Sequence, residues 1–334
     1  MSDYWRPIPL GDVARIGDAY PIADGSVRFT MVERLRRDAP AEVMSATEVP
    51  AQVMERLTAP RPPICSLDLA RPNIMAVVNV TPDSFSDGGD WADAPDAIGK
   101  IEAMAQAGDI LDIGGESTRP GADYVPVEEE IARVVPVIEA IRMAGLSTPI
   151  SVDTRKSQVL AAAVAAGADM FNDVSALSHD PDSARVAAEL AVPMCLMHAQ
   201  GDPKTMQASP QYDDVLLDVY DYLDDRIGEA ERHGIARSRI IVDPGIGFGK
   251  TVAHNLALLR RISLFHGLGC AVLLGVSRKG FIGAIGEEPV AKLRFPGSMT
   301  VALDAVRQGV QIIRVHDVAE TAQALRLFAA ISSD

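Results

Sequence analysis

One repeated unit runs through the sequence from residue 74 onward. Each unit consists of a short apolar run rich in β-branched residues, a turn rich in Gly, Ser and Asp, and a stretch with helical periodicity. Near-continuous apolar runs that are each followed by a helix are typical of parallel strands buried on both faces of a sheet. The eight runs are IMAVVNV (74–80), DILDIGG (109–115), PISVDT (149–154), ADMFNDV (168–174), PMCLMH (193–198), RIIVDPG (239–245), CAVLLGVS (270–277) and VQIIRVHD (310–317).

The number of units favours an α/β fold of the (β/α)8 TIM-barrel type, which typically needs about 250 residues. The helical stretches include 126–142 and 157–167, and Gly167 is expected at the C-cap of the second. An open, doubly wound sheet is the competing topology. Against it, no Gly-x-Gly-x-x-Gly follows the first strand, and polar residues end nearly every strand. We therefore predict a barrel over residues 71–334.

Residues 1–70 do not fit the repeat. We interpret them as an N-terminal extension that packs on the barrel. The segments MVERLRRDAP (31–40) and VMERLTAP (53–60) are predicted to form short amphipathic helices, and APRPPICSLDLARP (59–72) to form a Pro-rich connection. The sequence alone indicates no function for the extension.

Composition is that of an ordinary globular protein, with 48% hydrophobic and 23% charged residues. No apolar run approaches the roughly 18 residues that a membrane helix needs, so no membrane association is expected. The first twenty residues contain no basic segment followed by an apolar one, and no secretory signal is predicted. Cys195 and Cys270 lie in or beside apolar runs, as buried thiols do, and a reducing, cytoplasmic location is expected.

The net charge of −15 argues against a broad nucleic-acid surface or binding to an anionic membrane. No nucleic-acid partner is therefore expected. An anionic small molecule would have to be held by a local basic cluster that works against the overall field of the protein. A binding site for an anion would therefore require a local group of basic residues.

Polar residues at the strand ends supply that cluster and more. In a (β/α)8 barrel the active site lies at the carboxyl ends of the strands. Any one of these residues could be only a turn former or a helix cap, but eight polar ends would converge on one opening. In chain order they are Asn79, Asp112, Asp153, Asn172, His198, Asp243, the run Ser277-Arg278-Lys279, and Arg314 with His316.

Sorted by chemistry, these residues suggest a ligand with two different ends. Asp153, Asn172 and Asp243 suit a flat, neutral heterocycle that offers several N–H donors. Arginine favours bidentate contacts with oxyanions and lysine acts as a point charge, so the basic residues suit phosphate and carboxylate groups. The basic set is Arg119, Lys250, Arg278, Lys279, Arg314 and His316.

Several other site types find little support. The stretch IIVDPGIGFGKT (240–251) misses the phosphate-binding pattern of nucleotide hydrolases by one residue, because Pro244 replaces the first Gly and lacks a backbone N–H. The six histidines are scattered and show no His-Glu-x-x-His, so a protein-caged zinc ion is not expected. Mg²⁺ remains open, since it prefers substrate phosphates and few protein oxygens. No Gly-x-Ser-x-Gly indicates a serine nucleophile.

Eight ordered motifs resemble those of the dihydropteroate synthase family over about residues 72–330. The family is a pterin-binding TIM barrel, and the resemblance implies condensation of 6-hydroxymethyl-7,8-dihydropterin diphosphate with 4-aminobenzoate, assisted by Mg²⁺. It also implies a homodimer and a target of sulfonamides. The motifs are NVTPDSFSDGG (79–89), DIGGESTRPGA (112–122), SVDTRK (151–156), FNDVSAL (171–177), MHAQGDPKTMQ (197–207), VDPGIGFGKT (242–251), GVSRKGFIG (275–283) and RVHDV (314–318).

Carried over motif by motif, the resemblance assigns roles to individual residues. The pterin ring would contact Asp153, Asn172, Asp243 and Lys279, with Thr118 nearby. The diphosphate would contact Asn79, Arg314 and His316, and Asn79 would also serve Mg²⁺. The 4-aminobenzoate pocket would be shaped by Phe85, Arg119, Pro120, Phe248, Ser277 and the stem of Lys279. We also count Lys250 among the substrate-binding residues, and we expect catalysis from Asp153, Asp243, Lys279, Arg314 and His316.

The implied reaction is a displacement at a methylene carbon, with diphosphate leaving along a dissociative path. Its largest catalytic contribution should be electrostatic. Two other functions remain open. A methyltransferase module that moves a methyl group from a folate to a corrinoid would share the barrel and the pterin carboxylates, but would have no use for STRPG, SRK and RVHD. A non-catalytic pterin-binding paralogue would be expected to have lost one of the charged motifs, and all are present.

Overall fold

The computed structural model describes residues 3–11, 19–80, 95–117, 121–201 and 205–332. In the extension, a four-stranded antiparallel sheet has β3 in its centre, paired with each of the other three strands. A helix, α1 (Ala51–Thr58), follows the sheet. The strands are β1 (Tyr4–Pro9), β2 (Tyr20–Pro21), β3 (Arg28–Arg36) and β4 (Ala39–Ser45).

The structure confirms one of the two helices predicted in the extension. The helix expected at 53–60 is present as α1, but the helix expected at 31–40 is wrong, because this segment forms most of β3 and the start of β4. Met31 and Leu35 have helical spacing over too short a run to exclude a strand. Pairing with strands on both sides satisfies the backbone of β3, while Phe29 and Val32 are buried with Leu57 in the core of the extension.

Residues 71–334 contain the predicted barrel. Eight parallel strands close in the order β10-β11-β12-β5-β6-β7-β8-β9, so the (β/α)8 fold is confirmed and the open sheet is excluded. The strands are β5 (Asn73–Asn79), β6 (Ile110–Gly114), β7 (Ile150–Asp153), β8 (Met170–Asp173), β9 (Met194–Met197), β10 (Ile240–Asp243), β11 (Ala271–Gly275) and β12 (Ile312–Val315).

Helices follow the strands and surround the barrel. Gly167 ends α4 in the left-handed region at φ 115°, as its predicted C-cap role requires. None of the helices in the described part of the chain is long and apolar enough to cross a membrane. The helices are α2 (Pro95–Ala107), α3 (Val127–Met143), α4 (Ser157–Ala166), α5 (Ser183–Leu190), α6 (Val215–Arg232), α7 (Val252–Arg260), α8 (Gly280–Ile285), α9 (Phe295–Arg307) and α10 (Val318–Ser332).

The Pro-rich connection closes the amino-terminal end of the barrel. Its residues Ile64, Leu67 and Leu69 belong to one buried cluster with apolar residues from the first three positions of the barrel strands. Those strand residues are Met75, Ile110, Met170, Cys195, Ile241, Ala271, Leu273 and Ile312. Among the described residues this end of the interior is therefore filled with apolar side chains, which leaves the carboxyl ends of the strands for a ligand to enter.

The extension packs against one side of the barrel. Tyr4 is buried in the main barrel core, and its ring meets that of Tyr220 in α6 edge-on at 5.4 Å between centroids. The buried carboxylate of Glu33 accepts hydrogen bonds from Arg6 in β1 at 2.8 Å and from Arg261 after α7 at 3.1 Å. These contacts support the predicted packing of the extension, and they lie away from the carboxyl ends of the strands.

Candidate active site at the carboxyl ends of the barrel strands

Charged side chains meet inside the barrel at its open end. Arg314 in β12 donates from Nε to Asp112 in β6 at 2.6 Å and from Nη2 to Asp153 in β7 at 2.7 Å. Asn172 in β8 donates from Nδ2 to Asp112 at 3.1 Å. Since β12 is adjacent to neither β6 nor β7 in the barrel, these contacts cross its interior. The structure thus brings together residues that lie more than 200 positions apart in the sequence.

Burial controls the titration of the acids in this group. Burial raises the pKa of Asp153 to about 7, although the neighbouring Arg314 opposes the shift. Burial also raises the pKa of Asp243, against the hydrogen bond from the Gly245 N–H. Arg314 is the reverse case: burial alone would lower its pKa, but the charges of Asp112 and Asp153 raise it. The site therefore holds a permanent cation, and two of its acids, Asp153 and Asp243, have pKa values raised by burial.

One oxygen of Asp153 lacks a partner. Its Oδ1 is buried and forms no hydrogen bond within the part of the chain that the structure describes, whereas Oδ2 accepts from Arg314. A buried carboxylate oxygen without a donor costs free energy, of order 1–3 kcal/mol or more for a charged group. Such an oxygen at an open end of a barrel is suited to an N–H donor on a ligand.

The loop after β10 requires its glycines. Gly245 has φ 67°, and a Cβ there would lie 1.8 Å from the carbonyl oxygen of His198. Gly249 has φ 60°, and a Cβ there would lie 2.5 Å from the carbonyl oxygen of Gln200. The glycines thus allow this loop to lie directly against the segment after β9, and Oδ1 of Asp243 accepts the Gly245 N–H at 2.7 Å.

Lys250 holds this loop from within. Its Nζ donates to the carbonyls of Gly245 at 2.9 Å and Phe248 at 3.0 Å, and it lies 2.8 Å from Nδ1 of His198. Burial lowers the pKa of Lys250 to about 7. Here the lysine ammonium contacts backbone oxygens of the protein, and its predicted contact with substrate stays a prediction.

A second basic residue borders the loop. Nζ of Lys279 lies 4.2 Å from the ring centroid of Phe248, and its charge opposes the raised pKa of Asp243. A Cβ at Gly247 would be 3.2 Å from Cδ of Lys279. Asp243, Phe248 and Lys279 therefore form one wall of the site, which combines an acceptor, an aromatic face and a cation.

Ser277 and His316 form a pair next to Arg314. The Ser277 Oγ lies 3.0 Å from Nδ1 of His316 and accepts the backbone N–H of His316 at 3.2 Å. Asp317 accepts hydrogen bonds from two of the three guanidinium nitrogens of Arg278, Nε and Nη2. Arg314 therefore does not depend on Asp317, while Arg278 has a structural partner that competes with any anion.

Beside this wall a cavity that is open to solvent, with about 420 Å³ of empty space, extends from Met197 and Phe248 towards Arg155 and Tyr222. Asn79 ends β5, with its side chain half-buried. The predicted residues Phe85, Thr118, Arg119 and Pro120 lie outside the described residues.

Sequence reasoning noted Asp112 as a polar strand end but did not count it as a site residue. In the structure it is fully buried and contacts both Asn172 and Arg314. The sequence could have indicated this position. Side chains of a strand alternate with period two, so Asp112 faces the same side of β6 as the apolar Ile110, which is the interior of the barrel. The charged network behind the site was also missed: Glu116 accepts from Arg155 at 2.9 Å and from the backbone N–H of Val125 at 2.9 Å.

Comparison with known proteins agrees with this geometry. Residues 75–316 match a protein family described as pterin-binding enzymes. The match covers most of the barrel, from the second residue after the start of β5 to His316. The chain belongs to the pterin-binding enzyme family.

Similar proteins in this family are dihydropteroate synthases. The synthase of Escherichia coli (strain K12) is 47% identical over 269 residues, which are 80% of this chain and 94% of that protein. A structure of Xanthomonas albilineans dihydropteroate synthase with 4-aminobenzoic acid has a TM-score of 0.75 at 46% identity, and covers 80% of this chain and 96% of that one. The same enzyme in complex with 7,8-dihydropteroate has a TM-score of 0.70 at 41% identity, and covers 80% of this chain and 96% of that one.

Proposed function

We propose that this chain is a dihydropteroate synthase, which joins 6-hydroxymethyl-7,8-dihydropterin diphosphate to 4-aminobenzoate and releases diphosphate. One observation carries the proposal: a set of buried hydrogen-bond acceptors lies beside a half-buried cation at the open end of a barrel of the pterin-binding family. A flat heterocycle with several N–H groups matches the acceptors, and an anionic leaving group matches the cation.

The pterin ring is held by the acceptors. The unpartnered Oδ1 of Asp153 and the carboxylate of Asp243 each accept an N–H of the ring, and the amide oxygen of Asn172 accepts a third. Met197 and Phe248 offer apolar surface to a flat ring. Burial makes each of these bonds stronger than it would be in water, since the local dielectric is low.

The diphosphate lies at the basic side of the site. About a quarter of the Arg314 side chain is exposed, so part of its guanidinium faces the opening although two nitrogens contact Asp112 and Asp153. His316, fixed by Ser277, adds a second donor. Charge that develops on the leaving oxygen is neutralised there, and charge that develops at the methylene carbon is shared by the ring and stabilised by Asp153 and Asp243.

The second substrate packs against the wall formed by Phe248 and Lys279. Its aromatic ring lies on Phe248, with Ser277 and the stem of Lys279 beside it. The family resemblance also assigns Phe85, Arg119 and Pro120 to this pocket. The amine of 4-aminobenzoate carries no charge at neutral pH, so it attacks the methylene carbon without a dedicated general base.

Mg²⁺ fits the residues that are present. The described residues contain no group of three or more His, Cys, Asp or Glu arranged for a metal ion. Mg²⁺ prefers few protein oxygens together with substrate phosphates and water, and the single amide oxygen of Asn79 is a donor of this kind. When bound, the ion would neutralise charge on the leaving diphosphate. Asn79→Ala should therefore reduce the Mg²⁺ dependence of diphosphate-substrate affinity in calorimetric titrations.

A direct assay tests the proposed function. The purified protein is incubated with both substrates, with Mg²⁺ or with a chelator, and both 7,8-dihydropteroate and diphosphate are measured. Equal amounts of the two products, formed faster with Mg²⁺, are expected. Pterin binding without product would identify a non-catalytic paralogue, and methyl transfer from a methylated folate to a corrinoid would identify the methyltransferase module.

We also propose a cytoplasmic homodimer. Ile285 at the end of α8 and Val290 and Leu293 before α9 expose 56%, 51% and 60% of their surface, and together offer apolar surface for a second copy. Leu293→Asp should shift the sedimentation coefficient towards that of a monomer. Fractionation of cells that make the full chain tests the location.

A further inference from the structure

Asp112 occupies a position in the site that the proposed reaction does not use. It is fully buried, and its carboxylate has two partners inside the barrel. Oδ2 accepts from Arg314 Nε at 2.6 Å, and both oxygens lie within 3.3 Å of Asn172 Nδ2. Its own contacts are thus with two side chains that face substrate, which makes it a candidate positioning residue.

The contact with Asn172 fixes which end of the amide faces Asp112. An amide side chain has a donor end and an acceptor end of nearly equal shape, and a rotation of 180° exchanges them. A carboxylate can only accept, so the NH₂ end must face Asp112. The amide oxygen then points away from Asp112, and none of the residues that the structure describes donates a hydrogen bond to it.

Because other acceptors lie nearby, the orientation of the Asn172 amide determines which ring form the site binds. Asp153 presents an unpartnered oxygen, and Asp243 presents the oxygen that does not bond to Gly245. If Asn172 also presents its oxygen, these three residues offer acceptors only, and they select a ring form with several N–H donors. A flipped amide would place a donor among them, and this donor would bond to a ring nitrogen that carries no proton.

We propose that Asp112 sets the hydrogen-bonding face of Asn172 towards substrate, so that the site selects the N–H-bearing form of the heterocycle. The inference rests on the proposed function, since the ring is taken to be a pterin. Asp112 acts through Asn172 and Arg314 and does not itself contact substrate. Both of its contacts are in place in the protein alone, so the orientation exists before substrate binds.

An exchange of the two side chains provides a sharp test. In Asp112→Asn the amide at position 112 can donate or accept, so Asn172 is no longer held in one orientation. In Asn172→Asp two carboxylates face each other. In the variant that carries both substitutions, the new amide at position 112 donates to the new carboxylate at position 172 and accepts from Arg314. That carboxylate still presents an oxygen to the ring, and the net charge equals that of the parent.

We expect each single variant to raise the KM for the pterin diphosphate by about tenfold or more, while the KM for 4-aminobenzoate changes little. The double exchange should recover most of the pterin affinity, so that the two substitutions are strongly non-additive. Calorimetric titration of 6-hydroxymethylpterin provides the same comparison without turnover. A double variant as weak as the product of the single effects would overturn the proposal.

A matched control separates positioning from stability. Glu33 is also a buried carboxylate with two arginine partners, but it lies in the extension. Glu33→Gln should lower Tm without a change in either KM. Equal increases of both KM values in Asp112→Asn, in step with a lower Tm, would assign Asp112 a purely structural role. A parent protein that binds no pterin would instead contradict the proposed function itself.

Discussion

The two ends of the barrel interior use the same strands for opposite purposes. We call the inward residues near the amino-terminal end of the barrel the lower layer. On β6, β10 and β12 these are Ile110, Ile241 and Ile312, and each lies in the apolar cluster closed by the Pro-rich connection. Two positions later the same strands carry Asp112, Asp243 and Arg314, which belong to the upper layer. Because side chains alternate with period two, each pair points into the same interior at different heights.

The two layers separate stability from function in this fold. The lower layer is apolar and buried, and each of its side chains contributes burial free energy. The upper layer holds charged groups whose desolvation costs free energy. This cost is offset only when oppositely charged or hydrogen-bonding partners are correctly placed. Substitutions in the lower layer should therefore reduce the free energy of unfolding, and substitutions in the upper layer should reduce the affinity for substrate.

The largest effect is expected for Ile312→Ala in the lower layer. Removal of a fully buried isoleucine leaves a cavity and should reduce the free energy of unfolding by about 2–5 kcal/mol. The KM values of both substrates should stay close to those of the parent. Chemical denaturation and steady-state kinetics measure the two quantities. A large rise in KM with unchanged stability would contradict a purely structural role of the lower layer.

The matched upper-layer variant is Arg314→Ala. It should weaken binding of the diphosphate substrate by about 2–4 kcal/mol, through loss of a charge-assisted contact in a site of low dielectric. The bare hydroxymethylpterin should lose far less affinity. Calorimetric titration of both ligands tests this. Equal weakening of the two, or none, would mean that the diphosphate binds elsewhere.

A pH effect is expected from Asp153. Its pKa rises from an ordinary value of 3.8 to about 7 on burial, so the folded state holds a proton that the unfolded chain has released. Stability should therefore fall as the pH rises between these values. Asp153→Asn removes this decline, and the Tm advantage of the variant should grow across the window and level off above it. A constant difference at all pH values would show that burial of the charge is not the cause.

Deletion of residues 1–60 should have the smallest effect on binding. The deletion removes Tyr4 and Glu33 from the side of the barrel and should lower Tm, but it retains Ile64, Leu67 and Leu69, which close the lower end. Affinity for hydroxymethylpterin should stay within about twofold, because the removed contacts are distant from the site. A folded truncated protein that binds no pterin would show that the extension completes the site.

The barrel could be predicted because its signal is local and repeated. Each buried strand appears as an apolar run, and eight runs with helices between them define one closed topology. The extension lacked such repetition. The segment 31–40 forms a strand because β1 and β4 pair with β3 on both sides, and these pairings join positions whose partnership no local pattern reveals.

The sequence indicated which residue types lie at the site, but it did not indicate which of them contact each other. Asp153, Asn172, Asp243 and Arg314 converge inside the barrel as expected. The partners of each charge did not follow from the sequence, because they depend on distances across the interior. In the protein alone Lys250 contacts the carbonyls of its own loop, a partner set that the sequence did not indicate, and its contact with substrate stays a prediction. Asp112 joins two site residues.

Two residues of β10 allow the sharpest test of whether the upper layer binds the pterin. Ile241 and Asp243 are two positions apart on one strand, one in each layer of the interior. Calorimetric titration of 6-hydroxymethylpterin into Asp243→Asn should show a loss of roughly 1.5–3 kcal/mol, with severe loss of turnover and a folded protein. Ile241→Ala should bind pterin with nearly parental affinity and unfold more easily. Parental affinity and activity in Asp243→Asn would contradict the assignment of the upper layer as the pterin site.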